Sequence, residues 1–242
     1  MKNGSEKGDC TMAQGKASTL KREIYDSVMN DIIEGVYKQG EILNEKQLIE
    51  KYGVSKSPIR DALIELCNEG VLVSYPRYGY EIVRINEKEI RDIVEFRAMV
   101  EGECLRGMAA GMSQEDLKEL KEYTLSLSQE ITEDFPVLKH WENNTRFHLK
   151  LLSYAGNDYC YQVVEKSCGV LTRAYAQRNR EKRGSCTWKM DCENHLKIVN
   201  YLLQGDVESG VRELQADIRS FLDIVFPSFG SLMNTQTRWA GR

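Results

Sequence analysis

The stretch from Asn44 to Gly70, NEKQLIEKYGVSKSPIRDALIELCNEG, restricts this chain more than any other. Leu48 and Ile49 give one short apolar face, Gly53 interrupts it, and Val54 fills the turn. A second helical pattern follows through Ile59, Leu63 and Leu66. Two short helices joined by a tight turn containing glycine form a helix-turn-helix. In that motif the second helix lies in the DNA major groove with its first residues against base edges. Here those residues are Ser55, Lys56, Ser57, Pro58 and Arg60, a hydroxylated and cationic set suited to phosphates and bases. A plain helical hairpin with a solvated charged face is the alternative.

The flanking sequence completes a small domain. Thr19–Glu34 reads as an amphipathic helix with Ile24, Val28 and Ile32 inward and Gly35 at its end. Tyr37–Ile42 reads as a connector, and Asn44 as the cap of the first motif helix. After Gly70, Val71-Leu72-Val73 reads as a strand, Pro76-Arg77-Tyr78-Gly79 as a turn and Tyr80–Val83 as the return strand. This hairpin would be a wing. Arg77 at its tip suits a minor groove or a phosphate, or else a solvated loop cation. Gly79, lacking a side chain, would let the backbone approach a phosphate closely. The segment resembles the winged-helix DNA-binding domain of GntR-family transcription factors. The matching residues are Leu48, the run Gly53–Arg60, Ala62-Leu63, Leu66, Glu69-Gly70 and Gly79.

Bulk charge does not explain such a function. The 242-residue chain has net charge −4, and positions 18–85 hold nine Lys/Arg against eleven Asp/Glu. DNA binding must come from clustered cations: Lys46, Lys51, Lys56, Arg60 and Arg77. Few neutralised phosphates also means modest non-specific affinity. Seven cysteines, an odd number with no Cys-x-x-Cys pair, fit buried thiols in a reducing cytosol. No signal peptide, lipidation site or apolar run near 18 residues occurs, so a soluble, cytoplasmic protein with no membrane partner is expected.

The sequence divides into a disordered leader over 1–18, the winged head over 19–85, an all-α domain over 86–227 and a loose tail over 228–242. Six helical patterns with short breaks between them predict an antiparallel bundle, so the chain is mainly α with one small β-hairpin. Asn86/Glu89, Ser113/Asp116 and Asp206 mark helix starts; Gly156 and Gly205 mark stops.

Polar residues fall on the apolar stripes of this bundle. Asn144 lies four residues before His148 on one face, His195 on the apolar side of a later helix, and Asp217 on that of the last. Buried polar groups cost free energy unless paired. These four would satisfy one another around a cation: two imidazoles and a carboxylate suit Zn²⁺, Mn²⁺, Fe²⁺ or Ni²⁺, with an amide or water completing the shell. A metal-free polar pocket is the alternative. Arg97 would clamp a carboxylate or phosphate, or be neutralised by Glu101 one turn on; Arg173 is a weaker candidate for that role.

This half resembles the FCD ligand-binding domain of the FadR subfamily of GntR regulators. The match runs through Phe96-Arg97, Glu101, Ala109-Ala110, Phe147-His148, Gly156-Asn157, His195 with Ile198, and Gly205-Asp206. The resemblance implies a divalent metal held by an Asp and three His. By position these are Asn144, His148, His195 and Asp217, so two of the four ligands depart while their summed charge is conserved. It also implies a small organic-acid or sugar-acid effector and no organic cofactor. The expected function is a ligand-responsive transcriptional repressor that binds an inverted-repeat operator as a homodimer. A bundle that only dimerises, without metal or effector, is the second reading. A metal hydrolase built on His148, His195 and Asp217 is the third, opposed by the lack of a nearby base, nucleophile elbow or phosphate loop.

Overall fold

In the computed structural model of the chain, residues 8–130, 137–178 and 188–226 are described. They divide into two compact units that meet in sequence at Arg84 and Ile85.

The first unit starts with α1 (Gly8–Ile33), followed by β1 (Ile42–Leu43), α2 (Glu45–Tyr52), α3 (Lys56–Asn68), β2 (Leu72–Tyr75) and β3 (Gly79–Ile82). Ile24, Val28 and Ile32 of α1 pack with Leu48, Ile59, Leu63 and Leu66 of α2 and α3 and with Leu43, Leu72 and Ile82 of the sheet. The expected leader needs correction over residues 8–18, which are helical. Helix formers such as Ala13, Gln14 and Ala17 lead into the amphipathic segment with no proline to stop the helix short. Residues 1–7 lie outside the described residues.

The wing is a three-stranded antiparallel sheet of order β1-β3-β2, not a lone hairpin. Strand β1 falls at the end of the expected connector, because two residues carry no period. It becomes a strand only through pairing, Ile42 opposite Glu81 and Leu43 opposite Tyr80. On the other edge β2 pairs Leu72 with Ile82 and Tyr75 with Gly79.

Gly79 has a different reason from the one its sequence context suggests. At φ +129 a Cβ there would stand 2.5 Å from the Leu43 carbonyl oxygen, so glycine is required by the approach of β1. The tip between β2 and β3 is a turn in which Tyr78 N–H donates to Tyr75 O at 3.0 Å. Pro76 takes its second position, and Arg77 its third with φ +72. That third slot, in a type II turn, favours glycine.

The second unit has six helices among its described residues: α4 (Glu87–Ala109), α5 (Gln114–Gln129), α6 (Val137–Ser153), α7 (Asp158–Arg178), α8 (Trp188–Leu203) and α9 (Val207–Val225). Local caps fix several starts. Asn86 accepts from the Glu89 backbone, Ser113 and Asp116 form a reciprocal capping box, and Asp206 accepts from the Ser209 backbone. Helix α4 packs on α9, α9 on α8, α8 on α5, and α6 on α7. Ile90, Val94, Leu105, Leu120, Phe147, Ile198 and Leu214 make the shared core. The expected end of this domain at residue 227 and the tail over 228–242 lie outside the described residues.

Gly79→Ala should destabilise the first unit by about 2 kcal/mol or more, because the Cβ meets backbone that cannot swing away. Urea or thermal unfolding of the variant against the parent checks this; an unchanged midpoint contradicts the packing of β1 on β3.

Candidate functional site

Two clusters of polar side chains stand out, one in each unit. In the first unit, Asn44 caps α2 by accepting from Lys46 N at 2.9 Å. Gly53 closes that helix with φ +66, its N–H donating to Ile49 O at 2.9 Å. The left-handed residue turns the chain so that α3 begins at once. Ser55 is the N-cap of α3 but makes no side-chain cap bond, so its hydroxyl is uncommitted to the helix. Ser55, Lys56, Ser57 and Arg60 are all exposed. The unpaired N–H groups of a helix start attract anions.

Pro58, grouped with these residues by sequence, is instead buried with Ile59 against the core. Proline fits there because the first turn of a helix needs no N–H from it. The start of α3, the Asn44 end of α2 and the wing enclose a cleft of about 400 Å³. Lys56, Arg60 and Arg77 line it, together with Ser74, Tyr78 and Gly79. Lys46 is exposed and lies outside that lining.

One carboxylate, Glu45, faces the same cleft. It is held by Tyr80, whose hydroxyl donates at 3.1 Å, and by Lys56 Nζ at 3.1 Å. Its charge is thereby partly compensated where phosphates would approach. Sequence alone did not single out Glu45 or Tyr80, because their pairing crosses from α2 to β3.

In the second unit three helices bring His148 (α6), His195 (α8) and Asp217 (α9) together. His148 Nε2 lies 3.3 Å and His195 Nε2 3.4 Å from Asp217 Oδ2. The three donor atoms sit within 4.8 Å of one another, and all three residues are buried. Asn144, one turn before His148, reaches His195 Nε2 with its amide at 3.5 Å. All four sequence-derived candidates therefore converge. The His195 ring stacks on Phe147 with centroids 3.8 Å apart, which fixes its plane. Asn194 donates to the other Asp217 oxygen at 3.4 Å.

Behind His148 stands Glu101. His148 Nδ1–H donates to Glu101 Oε2 at 2.7 Å, and Arg97 Nε–H donates to Glu101 Oε1 at 2.7 Å. The Arg97–Glu101 pair that was one of two readings for Arg97 is thus formed. The His148 contact was not anticipated, since it joins helices 47 residues apart in sequence.

Burial sets the electrostatics. Burial alone would raise the Asp217 carboxyl, but the His195 ring and the hydrogen bonds from His148 and His195 outweigh it and hold Asp217 far below the usual carboxylate range. Glu101 is likewise pushed up by burial, yet Arg97 and His148 bring it below its ordinary value. Burial pushes His148 down, and Glu101, with help from Asp217, more than restores it, so its ring is held above the ordinary imidazole value.

With its Nδ1 proton committed to Glu101, a neutral His148 turns a bare lone pair toward Asp217. Two acceptors 3.3 Å apart need a cation between them, a proton or a metal. Metal–ligand bonds near 2.1 Å in a tetrahedral shell set donors about 3.4 Å apart, which is the spacing of each histidine nitrogen from Asp217 Oδ2. The donor set fits a divalent transition metal.

A small cavity of about 20 Å³ opens beside these groups, lined by Arg97, Trp141, Asn144, His148, Asp217 and Ser220 among others. Two of its lining residues carry a buried N–H group, Arg97 Nη2 and Trp141 Nε1, with no hydrogen-bond partner among the described residues. Arg173 is buried on α7 but does not line this cavity. Among the described residues no helix is long and apolar enough to cross a membrane.

Known proteins share both units. The family described as "Bacterial regulatory proteins, gntR family" matches residues 20–82, and the FCD domain matches residues 92–220. An "Uncharacterized HTH-type transcriptional regulator in unstable DNA locus" from Streptomyces ambofaciens is 24% identical over 212 residues, 88% of this chain and 87% of the relative. The "HTH-type transcriptional repressor GlaR" of Escherichia coli K12 is 27% identical over 145 residues, 59% of this chain and 66% of the relative. Among solved structures, E. coli McbR/YncC superposes with a TM-score of 0.66 at 18% identity, covering 86% of this chain and 97% of that one, a likeness of fold. These families are regulators and not enzymes, which removes the hydrolase reading. With a helix-turn-helix and wing in one unit and an FCD helical bundle in the other, the chain belongs to the GntR family of DNA-binding transcriptional regulators.

Proposed function

We propose that the chain is a cytoplasmic repressor that binds an inverted-repeat operator as a homodimer and is released by a small carboxylate-bearing effector. One observation carries the effector half of this reading: three buried groups, His148 Nε2, His195 Nε2 and Asp217 Oδ2, converge beside a cavity also lined by Arg97 and Trp141, each of which has a buried N–H donor without a partner among the described residues. His148, His195 and Asp217 would hold a divalent metal, with Asn144 or water completing the shell. Bound there, the metal supplies a Lewis-acidic anchor for a carboxylate. Arg97 Nη2 and Trp141 Nε1 would take the remaining oxygens, since acceptors are what those donors lack.

Glu101 serves two purposes in this reading. It keeps His148 in the tautomer whose Nε2 faces the site, and it neutralises Arg97 only on the Nε side, leaving Nη2 for a ligand. With neutral imidazoles the buried groups Arg97, Glu101 and Asp217 sum to −1, a charge that favours a cation in the site.

In the head, Ser55, Lys56, Ser57 and Arg60 would meet DNA at the start of α3, and Arg77 from the wing. Lys46 would reach backbone phosphate. A non-glycine residue in the Arg77 conformation costs about 1 kcal/mol, so a functional reason for arginine at that spot is expected.

The cavity size favours a second reading by itself. Room of about 20 Å³ holds roughly one water and no organic acid unless the bundle expands. A bundle that only dimerises would need no such expansion. Native mass spectrometry of the full chain purified without chelator decides between the two. About one divalent metal per chain and a co-purifying small acid are expected; a protein free of both overturns the effector reading.

His195→Ala should lower metal occupancy to a small fraction of the parent's, measured by elemental analysis, with the far-UV circular dichroism unchanged. Full occupancy in that variant would place the metal elsewhere. In the head, Arg60→Ala should weaken operator binding at least ~10-fold in a gel-shift titration with the fold intact. Arg77→Gly should do two opposite things: raise unfolding stability by about 1 kcal/mol and weaken DNA binding, with the salt slope falling by about one. An Arg77→Gly protein that binds the operator as tightly as the parent removes the wing from the interface.

A further inference from the structure

We propose that Glu45 is a specificity-determining residue for DNA, its carboxylate accepting from the 4-amino group of one cytosine in the major groove of each half-site. This role deepens the reading of the cleft between α3 and the wing as the DNA-facing surface, and rests on it.

Glu45 is the first residue of α2, placed there by the Asn44 cap. It is half-buried and is the one acid among the described residues lining the cleft, beside Lys56, Arg60 and Arg77. Tyr80 donates its hydroxyl to Glu45 Oε1 at 3.1 Å, from a ring packed in the core of the first unit. Burial first, and then this bond, push the Tyr80 hydroxyl above its ordinary value, so it keeps its proton and donates. Lys56 Nζ meets Glu45 Oε2 at 3.1 Å. A carboxylate has room for about four donors, so Glu45 can accept more.

Its two partners are held with unequal firmness. Tyr80 is 8% exposed and sits on the central strand of the sheet. The Lys56 side chain is 66% exposed, and an ion pair made by so exposed a lysine is worth little in water. A DNA phosphate therefore draws Lys56 away, while Tyr80 keeps Glu45 where it is. The duplex then covers a carboxylate that has lost its cation. A charge desolvated without a partner is heavily penalised, so what DNA sets opposite Glu45 decides the affinity.

DNA offers few donors. Phosphates only accept, and so do the major-groove edges of guanine and thymine. Adenine has an amino group there, but beside it lies N7, an acceptor that repels a carboxylate. Cytosine presents its amino group with no acceptor on its own edge. Cytosine is the base Glu45 admits, and the other three are excluded as much as cytosine is attracted. An acid in the first turn also suits the helix dipole, but that role affects stability and not the base chosen at one position.

The test uses the full chain and duplexes that the parent protein selects from a randomised library. At one position of each half-site cytosine should be preferred at least ~5-fold over the other bases. Replacing that cytosine by pyrimidin-2-one, which lacks only the 4-amino group, should weaken the parent at least ~5-fold in a gel-shift titration. Glu45→Ala should bind the two duplexes equally, with its preferences at the other positions unchanged. Should Glu45→Ala fail to fold, Glu45→Met keeps the side-chain length and the helix propensity without the carboxylate, and carries the same expectation. A parent that demands cytosine nowhere, or a folded variant as sensitive to the missing amino group as the parent, overturns the role of Glu45. Arg60→Ala separates this from the reading beneath it. Loss of binding in Arg60→Ala supports the cleft as the DNA-facing surface, whichever way Glu45 falls; full binding overturns both.

Discussion

The carboxylate of Glu101 takes a guanidinium on one oxygen and an imidazole on the other, in a core where the residue is 1% exposed. From it a chain of charge-assisted contacts runs through His148 to Asp217 and on to His195, joining α4, α6, α8 and α9. Buried ions are poor sources of net stability, because desolvation offsets most of their attraction. Removing one partner, however, leaves the next unpaired and costs several kcal/mol. The network therefore specifies which helices meet and in what register more than it adds to the total. It also determines what the site presents. Once Glu101 has claimed the Nδ1 proton, what His148 shows on the inner side is set by one further proton: a lone pair when the ring is neutral, an N–H toward Asp217 when it is charged.

The DNA head solves a related problem with fewer means. On the proposed reading, an acidic chain offers phosphates a cationic surface by arrangement. Lys56, Arg60 and Arg77 share one cleft, and the carboxylate facing that cleft, Glu45, is occupied by Tyr80 and Lys56. The arrangement depends on the third strand. Strand β1 brings Leu43 against Gly79 and holds β3, so the wing tip carrying Arg77 stands on a sheet and not on a free hairpin, which would be marginal by itself. The same contact explains the glycine.

What could be read from the sequence was what is local. Helix starts at Asn86, Ser113 and Asp206 and the turn at Gly53 rest on bonds within four residues, so residue type and spacing are enough. The convergence of Asn144, His148, His195 and Asp217 was legible because each is a polar residue on an apolar stripe, and the stripes face one core. What was missed depends on partners far away in sequence. Two residues of β1 have no pattern until β3 pairs with them. Pro58 carries no sign of which face of α3 it occupies. Glu101 looked like a partner for Arg97 alone, because the i, i+4 pairing is visible and the approach of α6 is not. The helical span before Thr19 is not legible because composition there is polar, which weighs against a core but not against a helix.

The size of the inner cavity bears on how a regulator of this design would switch. Arg97 Nη2 and Trp141 Nε1 ask for acceptors, yet the space beside them admits about one water's volume. A ligand that satisfies both donors must therefore part Ile218, Phe221 and Ile224 of α9 from the α4 and α6 side. Close-packed helices do not yield continuously, so that parting is a step between two arrangements. A ligand shifts such an equilibrium only by its differential affinity, and a 100-fold preference corresponds to about 2.7 kcal/mol. Two newly satisfied charge-assisted or buried hydrogen bonds are of that order. On the proposed reading, the small cavity is consistent with an effector site in its closed arrangement: the donors supply the driving force, and the tight packing of α9 supplies the second state.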